Sequence, residues 1–430
     1  MNSTKSSNSQ SGNVAYLEIS DDRLARSAAF LCDLVRIPSY RGVESAVQAR
    51  IAQELAQRGL QVSTVPIDPL QLQSVAGFSP ASIDYSNSPN IVGVLKGSGG
   101  GRSLALNFHA DTAPPGPIEL WERDPFGGEL IDGWVHGRGA WDDKAGCALA
   151  MLVLDLLLDA KITLKGDLIL QSVVEDEHTG NGTLAVVAEG FKADGAIVLD
   201  GGYGPTAIVG HPGYLNFKIT VYGKPAPSCR SELGENAIEK MIPILQALRS
   251  LETVLNDEVT LDWVDVRHPV NFNIGTINGG SWTGSVAEKC VVEAQMSFVP
   301  PFTITTFKEK ILAEVFAVAA LDAWSAEHMP IVEFVDLCTD ALVLTSSNEL
   351  MSLLDQGCKI VFKENLTPRL VTGWCDLRHF SLHEAVPSCL FGPGKGSNAH
   401  RPNESFEVAQ LRPHAQVLVH QILNWCETTD

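Results

Sequence analysis

Apolar residues at helical spacing, Leu24, Ala28, Leu31, Leu34 and Val35, predict an opening helix over 21–35 with Asp21 or Asp22 as its N-terminal cap. A second helix is expected over 44–58 and stops at Gly59; Ile37-Pro38-Ser39 forms the turn between the two. Strands follow at 61–66 and 91–95, separated by a Ser-, Pro- and Asn-rich stretch, 68–90, that reads as an irregular loop. Then come an apolar strand at 103–107, a long apolar helix at 144–160, a strand at 168–174 and another at 196–199. Such alternation of strands and helices argues for an α/β sheet with helices on both faces.

After Gly210 the pattern changes. Tyr214 to Tyr222 alternates apolar and polar residues and reads as a half-exposed strand. A helix at 235–251, strands at 270–277 and 290–299, a helix at 306–324 and a strand at 331–335 complete a ferredoxin-like βαββαβ order. This block, 211–337, is expected to be a lid inserted into a catalytic domain made of 21–210 and 338–430. The returning chain predicts helices at 347–363, 376–383 and 407–426 and strands at 369–372 and 387–391. A chain of 430 residues exceeds what one ordinary core needs, in line with two domains. Residues 1–20 begin with a polar stretch expected to be a disordered tail.

Composition narrows the class. With 45% apolar and 19% charged residues the chain is that of a well-buried globular protein. A net charge of -20, from 51 acidic against 31 basic residues, repels nucleic acid and anionic membrane, so neither is an expected partner. Nine cysteines without a CxxC pair suit free thiols in a reducing compartment. The N-terminus has no apolar run behind its lysine, and no stretch approaches the ~20 apolar residues of a membrane span, so a cytoplasmic location is expected.

The candidate chemistry lies where apolar runs end. His109-Ala110-Asp111 closes a strand, so an imidazole and a carboxylate two residues apart point to the same side. A lone His-x-Asp is usually a surface turn, but this one has company. Gly137-Arg138-Gly139 delivers Asp142 and Asp143 to the start of a helix, where the dipole favours carboxylates. Glu175-Asp176-Glu177 follows a buried-looking strand, the edge where α/β proteins place ligands. Asp200 ends a further strand, and His400 follows a Gly-rich run, 392–399. Two histidines and several carboxylates make a mixed N/O set of the kind that binds zinc or a similar divalent ion.

HADT, GRGAWDDKAG, the acidic triplet, LDGG and NAHRPNE together resemble the co-catalytic zinc peptidase and deacylase family of acetylornithine deacetylase, succinyl-diaminopimelate desuccinylase, glutamate carboxypeptidase and the aminoacylases, from about Leu34 to the C-terminus. The resemblance implies a zinc-peptidase-like domain with a mixed sheet flanked by helices, and two divalent metal ions, zinc with cobalt or manganese as alternatives. The ligands it implies are His109, Asp142 as the bridge, Glu177, Asp200 and His400, with Asp111 orienting His109. The general base it implies is the residue before the metal-binding glutamate, here Asp176 where the family has glutamate; Glu175 is the alternative. It further implies a homodimer through the lid and a small-molecule N-acyl substrate. The expected activity is removal of an acyl group from an N-acyl amino acid or related amine. A dipeptidase or carboxypeptidase, or a divergent member with altered or lost hydrolysis, is the alternative.

Departures from that family pattern cluster on the lid. Pro227 stands where a histidine is usual, Ser297 where an arginine is usual and Gly284 where an asparagine is usual. His211, Arg230 and Trp282 are candidates to compensate, Arg378 to grip a substrate carboxylate, and Glu404 to support the site.

Overall fold

The computed structural model describes residues 18–429 apart from 82, 203, 264, 384, 385 and 395–397. The expected tail thus lies almost wholly outside the described residues, as does the middle of the Gly-rich run before His400.

A large mixed sheet forms the centre. Its spatial order is Gln61–Val65, Asn90–Leu95, Leu168–Val173, Leu104–His109, Ala196–Val198, Ser388–Leu390, Thr206–His211 and Leu342–Val343, with Thr367–Leu370 also pairing with Thr206–His211. The middle strands run parallel and the outer ones antiparallel, except that Thr367–Leu370 runs parallel to Thr206–His211. Every residue of Leu104–His109 and of Leu168–Val173 is buried, as parallel strands covered on both faces require. Alternate residues feed opposite cores. Leu104, Leu106, Phe108, Leu168 and Leu170 pack with the helices Asp21–Val35, Ser45–Gln57, Lys144–Asp159 and Leu411–Trp425. Ala105, Ile169, Val173 and Val198 pack on the other side, toward Asn181–Ala188 and Leu377–His383. The helix Lys144–Asp159 is apolar almost all round because it is buried almost all round.

The second sheet matches its expected order. Gly213–Tyr222, Ala237–Asp257, Phe272–Gly279, Lys289–Phe298, Ile304–Ala319 and Ile331–Thr339 follow one another as βαββαβ, and the strands pair antiparallel. Phe217, Phe272, Phe298, Phe307, Leu248 and Met296 belong to a separate core.

Several expected boundaries shift. Ser20, not Asp21 or Asp22, caps the first helix, its side chain accepting from Arg23 N; the two aspartates sit in the first turn. The expected loop 68–90 contains a short helix, Pro69–Leu72, capped by Asp68. The helix expected over 306–324 divides after Ala319, and Asp322 caps a new one, Ala323–Glu327. A three-stranded sheet of Glu129–Ile131, Trp134–His136 and Ser405–Glu407 has no counterpart in the sequence reading. It joins the Gly-rich turn before Asp142 to the segment just after His400.

Candidate metal centre

Leu104–His109 lies between Leu168–Val173 and Ala196–Val198, with His109 opposite Val173 and Asn107 opposite Val198. Parallel neighbours end at the same edge, so His109, the run Glu175 to Glu177 and Asp200 emerge side by side. Asp142 arrives from the Gly137–Gly139 turn. Gly139 has φ +79, and a Cβ there would lie 2.5 Å from the Thr112 methyl carbon, so glycine lets that turn pass close to the strand end. Asp143 Oδ1 accepts from Gly146 N and caps the following helix. His400 is carried in by the pairing of Ser405–Glu407 with Trp134–His136.

The side chains converge. His109 Nε2 is 3.0 Å from Asp142 Oδ1 and 3.8 Å from both Asp176 Oδ2 and Asp200 Oδ1. His400 Nε2 is 3.2 Å from Asp142 Oδ2 and 2.8 Å from Glu177 Oε2. The Asp142 carboxylate therefore spans the two rings, one oxygen to each. The possible donors fall into two groups, His109 with Asp143 and Asp200, and Asp142 with Glu177 and His400, each within 4.8 Å. Asp143 was not among the ligands read from sequence; its Oδ2 has no hydrogen-bond partner among the described residues.

These residues fit divalent cations. His109 Nδ1 lies 2.9 Å from the carbonyl oxygen of Asp111, which only an N–H can approach, so it is Nε2 that meets the carboxylates; burial opposes a charge on this ring, but Asp176 and the hydrogen bonds to Asp111, Asp142 and Asp200 outweigh it, so without a cation Nε2 keeps a proton where a metal would take its lone pair. A ring nitrogen facing anionic oxygens calls for a positive charge between them. Five carboxylates, Asp142, Asp143, Asp176, Glu177 and Asp200, meet two imidazoles, so even with both rings protonated the cluster lacks positive charge. Protonation partly compensates. Hydrogen bonds to Asp142 and Glu177 hold His400 up to about 11, and burial raises Asp143, Asp176, Glu177 and Asp200 above the usual carboxylate range. Burial also opposes the charge on Asp142, but hydrogen bonds with His109 and His400 outweigh it and hold that carboxyl low.

The surrounding residues hold this arrangement. The Asp111 carboxylate lies 3.5 Å from His109 Nδ1 through Oδ1 and accepts from Glu177 N at 3.2 Å through Oδ2, joining two parts of the cluster. Glu404 accepts from Trp141 N, Asp142 N and Arg138 Nη1, and so pins the turn that carries Asp142. Lys144, unremarked in the sequence, is buried and donates to the carbonyls of Leu34 and Ile37. Both oxygens of Glu175 are engaged by Arg41. Arg378 is 1% exposed and donates to the carbonyls of Thr179 and Cys375. His211 is also buried; its Nδ1 is 2.8 Å from the Pro212 carbonyl oxygen, and burial lowers it to about 4. Ser297 is closed off between Pro269 and Asn271, while Trp282 is 72% exposed. Arg230 is exposed.

Comparison with known proteins defines the class. The chain belongs to Peptidase family M20/M25/M40, whose model it matches over residues 105–424, and is a metallohydrolase of amide bonds. Among similar proteins, an N-formyl-4-amino-5-aminomethyl-2-methylpyrimidine deformylase of Halalkalibacterium halodurans is 30% identical over 378 residues, covering 80% of this chain and 84% of the relative. A succinyl-diaminopimelate desuccinylase of Cereibacter sphaeroides is 24% identical over 409 residues, covering 90% and 95%. The dipeptidase Dug1p of Saccharomyces cerevisiae shares the fold, with a TM-score of 0.77 at 14% identity over 96% of this chain and 98% of that one.

Proposed function

We propose that the protein removes a small acyl group from an N-acyl amine, with His109, Asp142 and Asp200 holding one cation and Asp142, Glu177 and His400 the other. The observation that carries this reading is the Asp142 carboxylate, which reaches a histidine with each oxygen. Two bound divalent ions, zinc in this proposal, supply an acidified water and polarise the substrate carbonyl. Asp176 would take a proton from a water whose oxygen bonds to the acyl carbon, and hand it to the leaving amine nitrogen as the C–N bond breaks, releasing the free acid and the amine. Its place favours this role: Asp176 lies on the turn just before Glu177, with Oδ2 3.8 Å from His109 Nε2. Glu175, with both oxygens already engaged, is not assigned as the base.

The amine half of the substrate need not carry a carboxylate. Pro227 has no side-chain donor, Ser297 is buried, and Arg378 is turned to backbone carbonyls, so Arg378 and His211 are assigned to the wall of the site. The similarity to a protein named as a deformylase of an aminomethylpyrimidine supports a neutral, ring-bearing amine. Residues 211–337 are assigned as a lid that also makes a homodimer, supported by Ile277 on the outer strand and Ile238 and Ile242 on the adjoining helix, all exposed. A cytoplasmic setting is supported by nine unpaired cysteines, of which only Cys229 is exposed. Among the described residues no helix is long and apolar enough to cross a membrane.

The test is a panel of N-formyl, N-acetyl and N-succinyl amines and amino acids, run beside dipeptides with zinc- or cobalt-loaded protein. Turnover of the N-acyl amines above the dipeptides is expected. Preference for dipeptides would move the protein to the peptidase reading.

A further inference from the structure

The chemistry above leaves Glu175 unused, yet it is the most firmly held carboxylate near the cluster. Arg41 grips it through both oxygens, Nε to Oε1 at 2.6 Å and Nη2 to Oε2 at 2.8 Å. Tyr85 and Thr179 donate hydroxyls to Oε2 at 3.1 and 2.7 Å, and the residue is fully buried. Its backbone is in the left-handed region, φ +70, where a non-glycine residue stays only if its surroundings hold it. Its carbonyl accepts from His178, Thr179 and Gly180 N at 3.2, 2.9 and 2.7 Å. Held by side chain and main chain alike, Glu175 sets the turn whose next two residues are Asp176 and Glu177.

The same guanidinium reaches the lid. Arg41 Nη1 lies 3.2 Å from Asp336 Oδ1, on the strand Ile331–Thr339, where pairing with Gly213–Tyr222 is interrupted between Phe334 and Cys338. Asp336 N donates to the Pro80 carbonyl and Cys338 N to Ser79 Oγ. Ser79 is in turn paired with Asn181, at the start of the helix that follows the acid turn.

We propose that Arg41 is a positioning residue that locks Glu175, and through it Asp176 and Glu177, while taking its third anchor from Asp336, so that the lid's last strand and the acid turn are held in register. The proposal rests on the roles given above to Asp176 and Glu177. The planar fork is what matters: lysine keeps the charge but cannot engage two carboxylate oxygens and a third partner in fixed geometry.

The experiment uses full-length, cobalt-loaded protein with Arg41→Lys, Glu175→Gln and Asp336→Asn, and reads amide hydrogen exchange, the cobalt visible spectrum and turnover. In Arg41→Lys and Glu175→Gln, exchange at 175–180 should rise roughly tenfold or more and kcat should fall roughly tenfold or more with little change in KM, as expected of displaced catalytic groups. The cobalt spectrum should change at unchanged cobalt content. Glu175→Gln keeps the side-chain shape if Arg41→Lys fails to fold. Asp336→Asn should raise exchange at 175–180 to a smaller degree. Unchanged exchange and spectrum in Arg41→Lys and Glu175→Gln would overturn the lock, and unchanged exchange in Asp336→Asn would overturn the lid connection. Exchange decides the lock even if the wild-type protein turns over no amide, a result that would instead remove the proposed hydrolysis.

Discussion

Glu404 Oε1 accepts the backbone N–H of Asp142 at 3.1 Å, across 262 residues of chain. The same oxygen takes Trp141 N at 2.9 Å, and Oε2 takes Arg138 Nη1 at 2.7 Å. A single buried carboxylate thus orients the residue that spans both histidines. Supports of this kind typically contribute 10- to 100-fold in metal affinity. Glu404→Ala is therefore expected to weaken zinc or cobalt binding by roughly that factor, read by calorimetric titration. It also strips the buried Arg138 of its carboxylate, leaving it the Pro114 carbonyl and the Trp121 ring, at a cost of up to about 3–5 kcal/mol in denaturant unfolding. Glu404→Gln, which keeps one acceptor oxygen, should lose less. Wild-type affinity in the alanine variant would show that Asp142 is oriented without it.

Asp176 carries the proposed proton transfer. Asp176→Asn keeps the shape and removes the acceptor, so kcat should fall by roughly 10²- to 10⁴-fold while metal content by elemental analysis stays level. Asp176→Glu moves the carboxylate on the order of 1 Å, enough to cost ~10²-fold in a site built around aspartate. A gain in turnover with glutamate would instead mark the wild-type protein as one whose hydrolysis has lapsed.

The two-sheet architecture was legible because its elements are long and periodic. Ala28, Leu31 and Val35 lie on one buried face with Leu24 half-buried beside them, and Leu215, Phe217, Ile219 and Val221 point into the core as expected, although the strand expected to be half-exposed also buries Tyr214 and Thr220 because it lies inside its sheet. The converging side chains were visible as residues at strand ends and after Gly-rich turns. What the sequence hid was non-local. The three-residue strand Ser405–Glu407 pairs with Trp134–His136, far away in the chain, and neither is long enough to show a period. Arg41 went unremarked between the first two predicted helices, since nothing local reveals that it meets Glu175 134 residues later. Arg378 had the right charge for a substrate carboxylate, but only burial shows that it serves the carbonyls of Thr179 and Cys375.

Removing metal should destabilise the protein. Without cations, the carboxylates around Asp142 and Asp143 repel one another in a buried site, and relief comes only from binding protons. A ligand that binds only the folded state stabilises by about 2.7 kcal/mol at a hundred times its Kd. Adding zinc or cobalt to chelator-treated protein should therefore raise Tm by several degrees in scanning calorimetry. Asp142→Ala removes the carboxylate common to both histidines and should abolish that rise. An unchanged rise, with full metal content, would sink the bridging assignment.

Stability should also depend on pH through His414, which lies apart from the carboxylate cluster. It is buried against Phe362 and Phe391, and its Nδ1 is 2.8 Å from the Gln410 carbonyl oxygen. Burial lowers its pKa from the ordinary 6.5 to about 4. Between those values the unfolded chain binds the proton and the folded one does not, so unfolding takes up a proton and stability rises with pH. The contribution is therefore complete above about pH 6.5 and is lost as pH falls toward 4, amounting to roughly 3 kcal/mol at 1.36 kcal/mol per unit. Glu44, raised to about 7 by burial, acts in the opposite direction: its stabilisation is present below the unfolded carboxyl value and is lost as pH rises through 7. The comparison must accordingly be a difference. In chelator-treated protein, urea unfolding of the wild type and of His414→Phe should give profiles that approach or cross as pH drops from 7 to 4, because only the wild type loses the histidine contribution. Parallel profiles over that range would mean that His414 is already charged in the fold.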